Sequence, residues 1–134
     1  MQEKHLDGTG KLEVLYDYKY DILTFRIKDR DYSLSIEFQN FVADIDNEGF
    51  VTGVRIFDAS KVFGMDKYIL KDMVYSEFKA RIENNAITLT IKFVGKIRNK
   101  IIPLLVEKQN FMQQITTPPV QKHKLNNSYV EGSL

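Results

Sequence analysis

The sequence predicts an α+β protein that is mostly antiparallel β-sheet, with one short helix near residues 59–73. Two observations indicate this class. Apolar and polar residues alternate along several short segments, which is the period of a strand with one buried and one solvated face. Clusters of Asp, Asn, Gly and Lys separate these segments and are typical of turns. The alternation stops after Asp58, a residue suited to the N-cap of a helix.

The chain has 134 residues, the length of one domain, alone or with an appended unit. It is long enough to bury a hydrophobic core without disulfides. We predict four parts, in chain order: an N-terminal arm (1–10), an N-terminal β unit with the short helix (11–73), a C-terminal β meander (74–111) and an extended tail (112–134). The apolar residues of the tail are expected to dock on the body or on a neighbouring subunit.

The predicted strands of the N-terminal unit are 11–16, 22–27, 32–38, 41–45 and 50–57. The alternation is clearest in Tyr32–Phe38, where four apolar residues share one face. Asp46–Gly49 predicts a tight turn, because Asn and Gly accept positive φ at little cost. Gly53 interrupts the last strand, which indicates a bulge or a close approach of another backbone.

The helical segment is predicted in two pieces, about one turn over 59–63 and about two turns over 67–73, with a break at Gly64. The Asp58 carboxylate is predicted to cap the first piece, and its removal should cost about 1 kcal/mol. Asp66 can cap the second piece. Helices this short are unstable in water, so they must dock on a sheet.

The period of two returns after the helix. A first strand has one face made of Val74, Ser76, Phe78, Ala80 and Ile82. A turn at Glu83–Asn85 joins it to a second strand over 87–93, which predicts a hairpin. A third strand is predicted over 101–106, and Pro103 assigns it to a sheet edge because proline has no N–H for a ladder.

Composition limits the function classes. The net charge of +1 gives no overall electrostatic attraction to nucleic acid or to an anionic membrane, so binding to either would need a local patch of positive charge. The chain has no cysteine, which excludes disulfides, thiolate metal sites and cysteine nucleophiles. No apolar stretch approaches the roughly 20 residues of a membrane span, and the N-terminus lacks the apolar run of a signal peptide. We therefore expect a soluble cytoplasmic protein.

Two stretches carry a resemblance to a known family. Tyr16-Asp17 is followed by Asp21-Ile22-Leu23, and the stretch Gly53–Lys61 ends in Asp-Ala-Ser-Lys. Residues 12–62 resemble a small uncharacterised prokaryotic domain family, in which Tyr-Asp and Asp-x-Leu precede a closing Asp-Ala-Ser-Lys. The segment 96–100 is similar to the C-terminal extension of longer, archaeal-type members.

The resemblance implies a small antiparallel β fold with a short helix, and no established activity. It also implies an antitoxin-like or regulatory binding role, because some members are encoded beside candidate toxins. This chain departs from the family pattern in several places. Tyr18 and Lys19 replace a Pro–acidic pair, Thr24 replaces an aromatic residue and Arg55 replaces an acidic one. These changes weaken any role that depends on charge.

Catalytic and metal motifs are incomplete. Asp44–Gly49 begins like a calcium loop, but the twelfth position, which requires Glu, is Arg55. His5 and His123 lie in the predicted arm and tail, which leaves little for a histidine-based site. Ser60-Lys61 has no positioned base and fits a helix start. Five carboxylates could converge as a metal or acid–base site if the fold brings them together: Asp17, Asp21, Asp44, Asp46 and Asp58.

A nucleic-acid site has partial support. Tyr16, Tyr18 and Tyr20 alternate with Lys19, as aromatic and basic residues do on single-strand binding surfaces. A basic run lies on and beside one predicted hairpin: Lys92, Lys96, Arg98 and Lys100. The alternative interpretation is a solvated strand face, and the near-neutral total charge favours it.

The leading hypothesis is a non-enzymatic binding or assembly module without a cofactor, partnered with itself as a homo-oligomer or with another protein. Its basis is a set of strands with open edges and no recognisable catalytic set. A nucleic-acid-binding protein is the first alternative. A carboxylate- or metal-dependent hydrolase is the second.

Overall fold

A computed structural model describes residues 3–95 and 110–134 of the chain. These residues form two five-stranded sheets and two short helices. The strands are β1 (Lys4–Thr9), β2 (Leu12–Asp17), β3 (Ile22–Ile27), β4 (Leu34–Phe38), β5 (Phe41–Ile45), β6 (Val51–Ile56), β7 (Met73–Glu83), β8 (Ala86–Gly95), β9 (Asn110–Thr116) and β10 (Ser128–Ser133). The helices are α1 (Ala59–Phe63) and α2 (Lys67–Lys71).

The first sheet has the order β2-β3-β6-β5-β4, and the second has the order β1-β10-β7-β8-β9. Among the described strands the β1–β10 pair is parallel and the other pairs are antiparallel. One hydrophobic core takes side chains from both sheets, with Phe25 from the first and Phe78 and Phe93 from the second fully buried. The predicted class, mostly antiparallel β with little helix, is confirmed.

The hairpin of β7 and β8 is confirmed in detail. Asn84 and Asn85 form its two-residue turn with φ of 50° and 63°, the backbone that favours Asn in such turns. Alternate residues of β8 from Ile87 to Phe93 are buried. One assignment was wrong: Val74 is 48% exposed, because the register with β8 shifts between Met73 and Tyr75 and turns its side chain away from the buried face.

The chain ends differ from the sequence-based prediction. The N-terminal segment is strand β1 rather than a loose arm, and the tail contains β9 and β10 rather than extended chain alone. Strand β10 lies between β1 and β7, so both of its edges are paired within one chain. Leu6 and Val130 are cross-strand partners that pack on the core. Local sequence signals are weak here because pairing partners far along the chain supply the hydrogen bonds.

Two glycines let the sheets approach closely. Gly8 and Gly132 are cross-strand partners, and a Cβ atom added at either would lie 2.6 Å or 2.5 Å from Cδ1 of Ile27 in the first sheet. Gly53 approaches its own neighbour strand, where a Cβ would lie 2.9 Å from the carbonyl oxygen of Phe25. The β5–β6 register also shifts between Asp44 and Ile45. The close approach, one of the two alternatives predicted at Gly53, is present there, and the register irregularity lies at the neighbouring residue, Thr52.

The helical region predicted over 59–73 consists of two short helices, and the break between them begins at Gly64 as predicted, with φ of 63°. Phe63 and Leu70 are their buried residues. The Phe63 ring lies 5.4 Å from the ring of Phe93, so α1 docks on the second sheet. Among the described residues, neither helix has the length and apolar character needed to cross a membrane. The predicted strand over 101–106, with Pro103, lies outside the described residues.

Candidate functional site

Asp21 joins the turn after β2 to the start of α1. Its Oδ1 accepts hydrogen bonds from the Tyr16 hydroxyl at 2.6 Å and from the Ser60 backbone N–H at 3.0 Å. Its Oδ2 accepts the Ser60 hydroxyl at 2.6 Å. The Asp21 side chain is buried, with the residue 6% exposed. We call Tyr16, Asp21 and Ser60 the signature cluster, because all three belong to the stretches that resemble the known family.

The backbone explains why Asp21 can reach α1. Asp17 Oδ1 accepts the Tyr20 N–H at 2.9 Å and closes the turn. Asp21 itself has φ of 58°, a left-handed conformation that Asp tolerates better than most residues. In this position its carbonyl also accepts the Ala59 N–H at 3.0 Å. The turn therefore presents both a backbone and a side-chain acceptor to the first turn of α1.

The predicted cap at Asp58 was wrong. Asp58 has φ of 53° and makes no side-chain hydrogen bond to the helix, whereas a capping residue needs extended backbone for its side chain to reach the second or third N–H. Asp66 has extended backbone but also lacks a capping side-chain bond. Asp21, distant in sequence, satisfies the Ser60 N–H instead.

The cluster favours an ionised Asp21 and a neutral Tyr16. Burial opposes the charge on Asp21, but the hydrogen bonds from Ser60 and Tyr16 outweigh it and hold its pKa below the ordinary value of 3.8. Burial and the hydrogen bond to Asp21 raise the pKa of Tyr16 above its usual range. Asp21 is thus a charged structural acceptor, and a proton-transfer role would require displacing its partners.

The two buried carboxylates of the calcium-like stretch are also paired. Asp44 is 5% exposed and receives the Arg55 guanidinium, with Nη2 2.7 Å from Oδ1 and Nε 3.0 Å from Oδ2. Arg30 also uses two donors on Asp46, but both bond to the same oxygen, Oδ2, with Nη2 at 2.7 Å and Nε at 3.0 Å. Asp46 Oδ1 accepts the backbone N–H groups of Glu48 and Phe50. This carboxylate organises the predicted turn, and Gly49 takes φ of 92° as expected.

Four of the candidate carboxylates, Asp17, Asp21, Asp44 and Asp46, therefore bond to different partners, and Asp58 makes no side-chain bond to the helix that follows it. The part of the chain that the structure describes contains no group of three or more His, Cys, Asp or Glu side chains that could hold a metal ion. A cavity of about 420 Å³ opens beside Asp46, but its arginine, Arg30, is already bound to Asp46 and Glu48. Arg55, at the position where a calcium loop requires Glu, neutralises Asp44.

An exposed group of rings and lysines lies beside the signature cluster. We call Tyr18, Lys19, Tyr20, Lys67 and Lys71 the aromatic–lysine patch. The Lys67 and Lys71 Nζ atoms lie 5.4 Å and 5.7 Å from the centre of the Tyr18 ring. Lys67 also donates to the Tyr18 carbonyl at 3.1 Å. Lys19 lies 5.2 Å from the ring of Tyr20, and Tyr18 and Tyr20 are 51% and 64% exposed.

The structure thus joins the tyrosines to a different basic group from the one that the sequence suggested. Lys92 is exposed on β8, in register with Glu77 on one side and Met112 on the other. Lys96, Arg98 and Lys100 lie outside the described residues. The lysines missed by sequence reasoning, Lys67 and Lys71, have the i, i+4 spacing that brings side chains together on one helix face. That spacing is the sequence signal that could have identified Lys67 and Lys71 as a pair on one face of α2.

Comparisons with known proteins agree with the resemblance. A family described as "Protein of unknown function (DUF2283)" matches residues 13–60. The "Uncharacterized protein MJ0789" of Methanocaldococcus jannaschii is 33% identical over 93 residues, which is 69% of this chain and 80% of that protein. A Methanosarcina mazei protein named "Putative hypoxanthine phosphoribosyltransferase" is 29% identical over 87 residues, 65% of this chain and 71% of that protein. No solved structure matches the chain.

Proposed function

Because the chain belongs to the DUF2283 family of proteins of unknown function, its role must be inferred from its own geometry, and we propose a non-enzymatic binding and assembly module that acts in the cytoplasm. The observation that carries this proposal is the signature cluster. A catalytic carboxylate must be free to meet substrate, yet both oxygens of Asp21 are bound to Tyr16 and Ser60. The signature residues stabilise the fold and hold a neighbouring surface in place.

That surface is the aromatic–lysine patch. Exposed tyrosines are enriched where proteins bind each other, because a ring contributes a large contact area at a low entropy cost. Tyr18 is held between the T-shaped contact with Tyr16, at 6.4 Å between ring centres, and the two lysines of α2. Its orientation is therefore set before any partner arrives, which favours binding. The partner is a second copy of the chain or another protein.

Sedimentation velocity over a wide concentration range tests the self-assembly part. We expect the mass of the wild-type protein to rise with concentration, and the double variant Tyr18→Ser/Tyr20→Ser to remain monomeric. Tyr32→Ser is the matched control, because Tyr32 is 53% exposed but lies outside the patch. A wild-type protein that remains strictly monomeric at the highest concentration would remove self-assembly from the proposal.

A nucleic-acid ligand is the second candidate, and the proximity of lysines to exposed rings favours it. Stacking on aromatic rings beside basic groups is how single strands are bound without sequence preference. The test is a band-shift titration at low salt with single- and double-stranded probes, using wild type, Lys67→Ala/Lys71→Ala and Lys92→Ala. Loss of binding in the double variant, with binding retained by Lys92→Ala, would identify the aromatic–lysine patch as the nucleic-acid-binding surface. Absence of binding by wild type at low salt, where electrostatic attraction is strongest, would eliminate this candidate.

The Methanosarcina mazei relative is named as a phosphoribosyltransferase, an activity that we do not propose for this chain. Enzymes that handle phosphorylated sugars need cationic or metal-based groups for the phosphates. Two half-buried arginines, Arg30 and Arg55, are already bound to carboxylates. An assay with a purine base and phosphoribosyl diphosphate would test for this activity directly. Turnover above a no-protein blank would contradict the non-enzymatic proposal.

A further inference from the structure

A groove follows the free edge of the first sheet. Strand β4 is the last strand of that sheet, and a cavity of about 390 Å³ separates it from the segment Thr117–His123. Ile36 and Phe38 line the groove from the strand, and Pro118, Pro119 and Val120 line it from the opposite wall. The apolar side chains of β4 are half-buried, so they remain partly available for contact.

The outer edge of β4 presents backbone groups that have no hydrogen-bond partner among the described residues. Strands β4 and β5 are joined by the two-residue turn Gln39-Asn40, with Phe38 and Phe41 as the first cross-strand pair. Hydrogen-bonded and non-hydrogen-bonded pairs alternate along an antiparallel ladder. Counting from the turn, the N–H and C=O groups of Ser35 and Glu37 point away from β5, toward the groove. They form a template for one more strand.

Protection against strand addition is weak on this edge. Proteins usually block free edges with lysine, proline or a bulge. The β4 sequence, Leu-Ser-Ile-Glu-Phe, contains neither lysine nor proline, and its five pairs with β5 run without a register shift. Glu37 is its one charged residue. At roughly 3.3 Å per residue, the edge offers about 17 Å of pairing length.

The opposite wall is fixed in place. Thr117 exchanges hydrogen bonds with Ile87, through its N–H at 2.9 Å and its hydroxyl at 3.1 Å. The Asn85 side chain donates to the carbonyls of Val120 and His123, and the Val120 N–H returns a bond to the Asn85 carbonyl at 2.8 Å. The groove is thus preformed, which lowers the entropy cost of binding.

We propose that this groove binds an extended peptide of a partner protein, which adds a sixth strand to the first sheet next to β4. The groove lies between two walls that belong to the same chain. It therefore accommodates a single strand more readily than it accommodates the edge of a second copy's sheet. The residue opposite Glu37 is basic, because opposite charges are favoured in cross-strand pairs. Apolar residues on either side of it face Ile36 and Phe38. Lys122 on the opposite wall disfavours a uniformly basic peptide.

The test uses the full chain, isotope-labelled for amide NMR, and the capped peptide Thr-Val-Lys-Val-Thr. We expect shifts and slowed hydrogen exchange at the Ser35 and Glu37 amides, and about five-fold weaker binding when Glu replaces the Lys. Glu37→Pro removes an outward N–H without removing a bond to β5, which an edge strand tolerates, and should abolish binding. Glu37→Ala is its matched control: it should still bind but lose the preference for Lys.

A second peptide keeps the test independent of protein folding. N-methylation of the peptide lysine removes its backbone donor and leaves the side chains unchanged, so strand addition predicts that binding is lost. Equal binding of the methylated peptide would overturn the proposal, as would unchanged β4 amides at millimolar peptide. The wild-type protein could instead form a dimer that the Glu37→Pro variant cannot form. That result would show that the β4 edge pairs with a second copy of the chain, and it would also overturn the proposal. The groove shares no residue with the aromatic–lysine patch, so the two proposals can fail separately.

Discussion

Replacing Asp21 by Asn tests the central claim that the signature cluster is structural. The substitution keeps the size of the side chain, and Asn accepts the left-handed backbone that Asp21 adopts at φ of 58°. What changes is the charge and one acceptor. The Asn oxygen can still accept the two donors that now bond to Oδ1, while its NH₂ group replaces Oδ2 and faces the Ser60 hydroxyl, which must reorient.

The magnitude follows from the hydrogen bonds. Three groups donate to the Asp21 carboxylate: the Tyr16 hydroxyl, the Ser60 hydroxyl and the Ser60 N–H. A hydrogen bond to a charged group contributes about 1.5–3 kcal/mol, and a neutral one about 0.5–1.5 kcal/mol. Losing the charge therefore costs about 1 kcal/mol per bond. We expect the free energy of unfolding of Asp21→Asn to fall by about 2–3 kcal/mol.

The effect should depend on pH in a defined direction. The pKa of Asp21 is lowered in the folded state, so its contribution is fully present above the ordinary value of 3.8 and is lost as pH falls through the folded pKa. The difference between wild type and Asp21→Asn should therefore shrink below about pH 4. The pKa of Tyr16 is raised from 10.0, so wild-type stability should fall above about pH 10, and Tyr16→Phe should remove that part of the decline.

Urea unfolding at pH 7 and at several acidic pH values measures these free energies of unfolding. The m-values of wild type and variant must be equal for the free energies to be compared directly. Asp17→Asn is the matched control. Asp17 lies in the same turn but is exposed and accepts one bond, from Tyr20, which Asn can also accept, so its effect should be within about 0.5 kcal/mol. If the two variants lose equal stability, or if the Asp21→Asn deficit persists unchanged in acid, the cluster does not have the role assigned here.

Three further predictions address packing and the tail. Gly53→Ala should cost about 1–3 kcal/mol in urea unfolding because its Cβ would meet the Phe25 carbonyl, and a neutral result would show that the strands can separate. Asn85→Gly keeps the positive φ but removes the side-chain bonds to the groove wall, so amide hydrogen exchange should accelerate over 120–125. Asn84→Gly is the control and should not change it. Deleting residues 128–134 removes a strand paired on both sides and should abolish cooperative unfolding measured by circular dichroism, whereas a dispensable tail would leave the transition intact.

The sequence was sufficient for the features that depend on near neighbours. The alternation in β3, β7 and β8 predicted their buried faces because a strand buries every second residue whatever its partner is. The turns at Asp46–Gly49 and at Asn84-Asn85 were predictable because few residues adopt positive φ at low cost. Gly53 indicated a close approach because a glycine inside a strand leaves room for a neighbouring backbone.

The helix cap shows where local reasoning failed. Asp58 has the right residue type and position for a cap, but its backbone is left-handed. The carboxylate that bonds to the helix comes from Asp21, and no local propensity links residues so far apart in sequence. The pattern of the resembled family includes Tyr16, Asp21 and Ser60, which are the residues of this cluster. A sequence pattern does not show which of its residues are in contact.

The sequence by itself determined the fold class, most strands of the first sheet, the β7–β8 hairpin and the absence of cysteine chemistry. Tertiary structure decided that the chain ends form β1 and β10, that the buried carboxylates are each paired with a separate donor, and that Lys67 and Lys71 lie over Tyr18. The reason is the range of the interactions. Periodicity and turn preference act over a few residues, whereas strand order, ion pairs and exposed patches depend on which distant segments share one core.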